Sequence, residues 1–138
     1  MPPVRSVLNV HAVLRGAATT LVIATPAVLV IGALGDGNDG TDQSNWVYLA
    51  FLCVIAAYLV GGALAARGSA ERPFAHGAAG PSAAFVTVQA IAWLASGDGI
   101  SVVAAIFNLL LAATIGMVGA GFASSRGKLA PGGGEPTG

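Results

Sequence analysis

The chain has 138 residues, of which 55% are hydrophobic and only 9% are charged, and its formal net charge is zero. Soluble domains carry about a quarter charged residues, so this composition, with a mean hydropathy of +0.79, excludes an ordinary water-soluble protein. The lack of a basic surplus argues against nucleic acid as a partner, and we expect the lipid bilayer to surround most of the chain.

Four apolar stretches are long enough to cross a bilayer, whose hydrocarbon core is about 30 Å thick. They cover residues 16–34, 46–66, 78–95 and 100–123. The second begins with Trp46 and Tyr48, which are typical anchors at a membrane interface. The third contains Pro81 near its start, where a helix tolerates proline. These stretches predict an all-α fold, an integral membrane four-helix bundle.

The bundle is predicted to occupy residues 1–126 as one domain, and the glycine- and proline-rich segment 127–138 is predicted to be a disordered cytoplasmic tail. An alternative is that the first stretch is a cleaved signal peptide, since a basic flank precedes it. The apolar stretch is long and no convincing small-x-small cleavage site follows it, which favours a retained span.

Basic residues predict the orientation of the bundle. All six lie before the first span, between the second and third, or after the fourth, namely Arg5, Arg15, Arg67, Arg72, Arg126 and Lys128. The connections on the other side contain no basic residue and carry Asp36, Asp39, Asp42 and Asp98. The positive-inside rule therefore predicts a multi-pass membrane protein with both termini in the cytoplasm.

The two halves of the chain resemble each other. Arg15-Gly16-Ala17-Ala18 opens the first span, and His76-Gly77-Ala78-Ala79 opens the third at an offset of 61 residues. Gly62 with Arg67-Gly68 corresponds to Gly121 with Arg126-Gly127 at an offset of 59. This internal repeat predicts two tandem helical hairpins related by a pseudo-two-fold axis along the membrane normal. Biased composition with similar helix ends is the alternative.

Small residues recur every four positions in two of the spans. In the second span they are Cys53, Ala57, Gly61 and Ala65, and in the fourth Ala104, Asn108, Ala112, Gly116, Ala120 and Ser124. Such stripes allow helices to approach closely in lipid, so we predict packing seams there, with Gly62 adjoining the first. Cys53 has no His or acidic neighbour that would indicate a catalytic thiol, and we interpret it as a packing residue.

Polar side chains inside the spans are few. Gln89 and Asn108 are predicted to face the bundle and to hydrogen-bond across a helix interface, and the alternative is that they line a path together with Thr114. Pro26 lies in the middle of the first span and predicts a kink, with Thr25 or a neighbour bonding to the carbonyl group that proline leaves free.

No Asp, Glu, Lys, Arg or His lies within the hydrocarbon depth of a predicted span, which argues against a carrier coupled to protons or cations. The small multidrug transporters of similar length need a membrane-embedded Glu that has no counterpart here. His11 and His76 lie near the interface without a third ligand, which favours a solvated or capping role. We therefore predict no catalytic, cofactor-binding or metal site, and no enzymatic activity.

The stretch Gly61-Gly62-Ala63-Leu64-Ala65-Ala66-Arg67, followed by His76-Gly77, resembles the small four-helix integral membrane proteins of unknown function from Gram-positive bacteria, over about residues 10–126. Heavy use of Ala and Gly with a single Lys is typical of a high-GC actinobacterium, which would place the protein in the plasma (cell) membrane. This resemblance implies no activity.

The preferred hypothesis is an uncharacterised multi-pass protein that serves as a non-enzymatic accessory or structural subunit of a membrane assembly, with other membrane proteins or itself as partners. The alternative is a small homo-oligomeric channel or passive transporter. The candidate packing or path-lining residues are Gln89, Asn108, Gly61, Gly62, Gly116 and Pro26.

Overall fold

The computed structural model describes residues 8–35, 44–68, 71–96 and 101–127. These residues form four α-helices and no strand: α1 (Val10–Gly35), α2 (Ser44–Arg67), α3 (Pro73–Ser96) and α4 (Val102–Gly127). Each helix is long and apolar enough to cross a membrane, which confirms the predicted all-α four-helix bundle. The predicted tail beyond Gly127 lies outside the described residues, as do Asp36, Asp39, Asp42, Asp98, Arg5 and Lys128.

Two helices, α1 and α3, begin well before the predicted spans, at Val10 instead of residue 16 and at Pro73 instead of residue 78. Helix α1 begins at Val10 because the side-chain oxygen of Asn9 caps it, accepting hydrogen bonds from the backbone N–H groups of His11 at 3.1 Å and Ala12 at 3.4 Å. Helix α3 begins at Pro73, since proline suits the first position of a helix, where no N–H donor is needed. Both helices are thereby extended at the same end of the bundle.

Consecutive helices run in opposite directions. We call the end that carries Asn9, Gly68 and Arg72 the basic end, and the opposite end the far end. In the part of the chain that the structure describes, every pair of helices is in contact except α1 and α4. Helices α2 and α3 therefore form the short diagonal of the bundle, with α1 and α4 at the outer corners.

The bundle is packed more tightly toward the basic end than toward the far end. The last buried residue of α3 is Ala84, and the first buried residue of α4 is Ala112. Helices α1 and α2 stay packed further toward the far end, where Ala27 and Ala50 are both buried. The segments 85–95 and 102–111, which we call the far half of the α3/α4 hairpin, thus lie outside the core.

Candidate functional site

The contact between α1 and α2 is built on a reciprocal pair of glycines. A Cβ atom added to Gly16 would lie 2.7 Å from the carbonyl oxygen of Gly61, and one added to Gly61 would lie 2.8 Å from the carbonyl oxygen of Gly16. Each glycine therefore directs a Cα–H group at the carbonyl oxygen of the other, a contact that contributes about 0.5 to 1 kcal/mol. No larger residue fits at either position.

Helices α3 and α4 meet through a second pair of this kind, Gly77 and Gly116. A Cβ atom on Gly77 would lie 2.9 Å from the carbonyl oxygen of Gly116, and one on Gly116 would meet the carbonyl oxygen of Gly77. That carbonyl group lies four residues before Pro81, which has no N–H group to donate to it. The acceptor that proline leaves free in α3 is therefore directed at Gly116.

The two glycine pairs have matching surroundings. Gly61 lies against Thr20 and Gly16 against Ala65, while Gly116 lies against Pro81 and Gly77 against Ala120. The corresponding sets are Gly16, Thr20, Gly61 and Ala65 in the first hairpin, and Gly77, Pro81, Gly116 and Ala120 in the second. Corresponding residues of α1 and α3 are 61 positions apart, as predicted from the sequence. Corresponding residues of α2 and α4 are 55 positions apart, which differs from the predicted 59 by about one helical turn.

A third close crossing joins the hairpins to each other. A Cβ atom on Gly62 of α2 would lie 2.6 Å from the Cα atom of Gly116 in α4, and one on Gly119 would meet the carbonyl group of Leu59. Gly61, Gly62 and Gly116 thus all lie at helix crossings. The alanines of the same seams are fully enclosed, with 0% exposure for Ala57, Ala65, Ala112 and Ala120.

Thr20 is a core residue that the sequence analysis missed. Its side chain is 1% exposed, and its hydroxyl group donates a hydrogen bond to the carbonyl oxygen of Gly16 at 2.9 Å. The same hydroxyl oxygen lies 3.5 Å from the carbonyl oxygen of Ala57 in α2. The signal for this position was its spacing, since Thr20 follows Gly16 by one helical turn.

His76 is buried, not solvated. Its ring is 2% exposed, and its Nε2 atom accepts a hydrogen bond from the backbone N–H of Asn9 at 2.7 Å. The Nδ1 atom lies 2.9 Å from the carbonyl oxygen of Arg72. The side-chain amide of Asn9 also reaches the carbonyl oxygen of Gly68 at 3.5 Å. Asn9 and His76 therefore join α1, the end of α2 and the start of α3, a capping role for His76. His11, by contrast, is exposed.

The polar residues in and next to the far half of the α3/α4 hairpin lie outside the core. Gln89 is half-buried, and Asn108 and Thr114 are exposed. The hydroxyl group of Thr114 donates to the carbonyl oxygen of Leu110 at 2.8 Å, within its own helix. The expectation that Asn108 faces the bundle of its own chain is therefore wrong, because no residue of α4 before Ala112 is buried.

Pro26 and Cys53 border an apolar groove between α1 and α2 in the far half of the bundle. The groove has a volume of about 280 Å³ and is lined by Ile23, Pro26, Ala27, Val30, Leu49, Ala50 and Cys53. Helix α1 continues through Pro26, and the hydroxyl group of Thr25 donates to the carbonyl oxygen of Leu21 at 2.6 Å. Pro26 has no N–H group to donate to the carbonyl oxygen of Val22, four residues earlier. The Thr25 hydroxyl group, which bonds to Leu21, does not replace that donor.

No group of three His, Cys, Asp or Glu residues within the described ranges is placed to hold a metal ion. No known protein family, curated protein or solved structure matches this chain. The resemblance to the small Gram-positive membrane proteins therefore stays a prediction, and the functional argument depends on the chain's own geometry.

Proposed function

We propose that this chain is a non-enzymatic structural or accessory subunit of a membrane assembly. The observation that carries the proposal is the reciprocal packing of Gly77 and Gly116 beside the crossing of Gly62 and Gly116. These contacts bring the helix backbones together toward the basic end and leave little space between the helices there. The polar side chain of Asn108 lies on the outside instead, where another membrane protein can reach it.

The alternative function, a homo-oligomeric channel or passive transporter, is supported by the exposure of Asn108 and Thr114. A path between protomers would need both side chains on one face. They are six residues apart, which places them about 120° apart around α4. The hydroxyl group of Thr114 is also occupied by its own backbone. This geometry favours the subunit over the channel.

The positions of the basic residues support an orientation with both termini in the cytoplasm. Arg15, Arg67 and Arg72 are exposed toward the basic end, and Arg126 belongs to the last turn of α4 at the same end. The positive-inside rule places such an end in the cytoplasm. The composition typical of an actinobacterium supports a plasma membrane as the location.

The matching glycine pairs support an origin of the two hairpins by tandem duplication. Each pair joins the two helices of one hairpin by the same reciprocal contact. The copies do not obey an exact two-fold axis, since α2 contacts α3 whereas no contact joins α1 to α4 in the described ranges. A duplicated hairpin would have kept its internal seam and changed the contacts between copies.

A pull-down from native membranes tests the proposed function. The tagged chain is extracted in mild detergent, and its partners are identified by mass spectrometry and sized in the native state. We expect the wild-type chain to recover a stoichiometric partner protein. Gly116→Ala, which disrupts the core, should recover much less of that partner. Recovery of the chain alone, or only of copies of itself, would overturn the subunit proposal.

A further inference from the structure

We propose that the exposed face of α4 around Asn108 is the interface with a second copy of this chain, in which the two Asn108 amides hydrogen-bond to each other. The inference concerns self-association, so it can hold whether or not the chain also serves a larger assembly.

Asn108 is an exposed amide at hydrocarbon depth. Trp93, which is 54% exposed, is of a type that marks a membrane interface. Pro81 of α3 contacts Gly116 of α4, and the two helices are antiparallel. Trp93 is twelve residues after Pro81 and Ala104 is twelve residues before Gly116, so these two lie at the same depth in the membrane. Asn108 lies one turn further from the interface, about 6 Å deeper in the hydrocarbon. Its side chain has no hydrogen-bond partner among the described residues. An unpaired amide in lipid is costly, which favours a partner outside this part of the chain.

Gln89 cannot serve as that partner. It lies at the same depth as Asn108, because each is eight residues beyond the contact of Pro81 with Gly116. Over eight residues an α-helix makes a net rotation of about 80°. A right-handed helix rotates in the same sense whichever way its chain runs, so both side chains are rotated the same way on going toward the far end. The two side chains therefore point to opposite sides of the α3/α4 hairpin.

A second copy supplies the missing partner by symmetry. Two copies with the same orientation in a membrane are related by an axis along its normal, so each residue lies at the same depth as its counterpart, and a residue beside the axis meets it. An amide group carries both donors and an acceptor, and two Asn108 side chains can therefore satisfy each other. On α4, two residues one turn before Asn108 are small and not enclosed by the bundle, since Ala104 is exposed and Ala105 is half-buried. These small side chains let a second helix approach closely.

Energy transfer between labelled copies of the purified full chain, in liposomes of increasing lipid-to-protein ratio, measures the association. We expect Asn108→Leu to lower the association constant by about tenfold or more, since a symmetric pair loses its amide hydrogen bonds. Asn108→Gln keeps the amide and should retain most of the association. Thr114→Val is the matched control, because that hydroxyl group is occupied within α4, and it should associate as the wild type does.

Crosslinking gives an independent readout in a Cys53→Ala background. Asn108→Cys should form a disulfide-linked dimer under mild oxidation, whereas Phe107→Cys, also exposed but about 100° away around the helix, should not. A wild-type chain that stays monomeric, equal association of Asn108→Leu, or crosslinking at position 107 in place of 108 would overturn the proposal. A dimer found here without any partner in the membrane pull-down would overturn the proposed function and leave this interface standing.

Discussion

The imidazole of His76 accepts a hydrogen bond from the backbone N–H of Asn9 at 2.7 Å, which joins the start of α1 to the first turn of α3. The backbone N–H can only donate, so Nε2 is the unprotonated nitrogen and Nδ1 carries the proton that faces the carbonyl oxygen of Arg72. Both ring nitrogens of the neutral side chain are thereby paired. This contact fixes the N-cap of α1 against the second hairpin.

Replacing His76 should destabilise the bundle through this contact. His76→Leu leaves the Asn9 N–H without its acceptor at a part-buried contact, which should lower the free energy of unfolding by about 1 kcal/mol. His76→Gln supplies a side-chain oxygen as acceptor and should recover part of the loss. Denaturant unfolding in mild detergent, followed by circular dichroism, measures both variants. His11→Leu, at an exposed position, is the control, and equal stability of His76→Leu and wild type would contradict the account.

The glycine crossings predict a difference between two positions of α4. A methyl group on Gly116 would meet the Gly77 carbonyl and lie 2.9 Å from the Pro81 ring, whereas one on Gly121 would meet only Phe74 at 3.6 Å. Gly116→Ala should therefore cost about 1 to 3 kcal/mol of stability through overpacking, and Gly121→Ala should be neutral or slightly stabilising. Thermal unfolding of the two purified variants tests this difference. Equal losses would show that the close crossing does not limit the packing.

The seams and the four helices could be predicted because each depends on local sequence. Hydropathy over about twenty residues identifies a span, and a four-residue repeat of small side chains identifies Ala57, Gly61 and Gly116 as contact positions. The cap at Asn9 was not predicted, although Asn before a helical run is a common N-terminal signal. The burial of His76 could not be predicted, because its partner lies 67 positions away. The exposure of Asn108 could not be predicted either, because it depends on which part of α4 packs against the other helices, and no local pattern indicates that.

Thr20 offers a test of polar contacts within the core. Thr20→Val keeps the shape of the side chain and removes the hydroxyl group, which bonds to Gly16 and lies within 3.5 Å of the Ala57 carbonyl oxygen. We expect a loss of about 0.6 to 1.7 kcal/mol, the range found for hydrogen bonds between membrane helices. Thr87→Val removes an exposed hydroxyl group that bonds only within α3 and should change stability less. A larger loss for Thr87→Val would contradict the placement of Thr20 in the core.

The orientation can be checked with single cysteines in a Cys53→Ala background. In intact cells a membrane-impermeant maleimide should label Asp98→Cys, in the connection between α3 and α4, without permeabilisation. Leu8→Cys and Ser125→Cys, both at the basic end, should be labelled only after the membrane is opened. Labelling of Leu8→Cys and Ser125→Cys on different sides would contradict an even number of spans. The reverse pattern at all three positions would contradict the proposed orientation.

The most direct test of the central claim, that this bundle acts through its outer surface and contains no water path, is the water accessibility of position 108. In the Cys53→Ala background, Asn108→Cys is treated in intact membranes with a water-soluble maleimide from each side in turn, with Asp98→Cys as the positive control. We predict no reaction at position 108 until the protein is denatured, because a water-soluble maleimide does not enter the hydrocarbon or a contact between two helices. Rapid labelling at position 108 in intact membranes would place that side chain in water, contradict the subunit proposal and favour the channel.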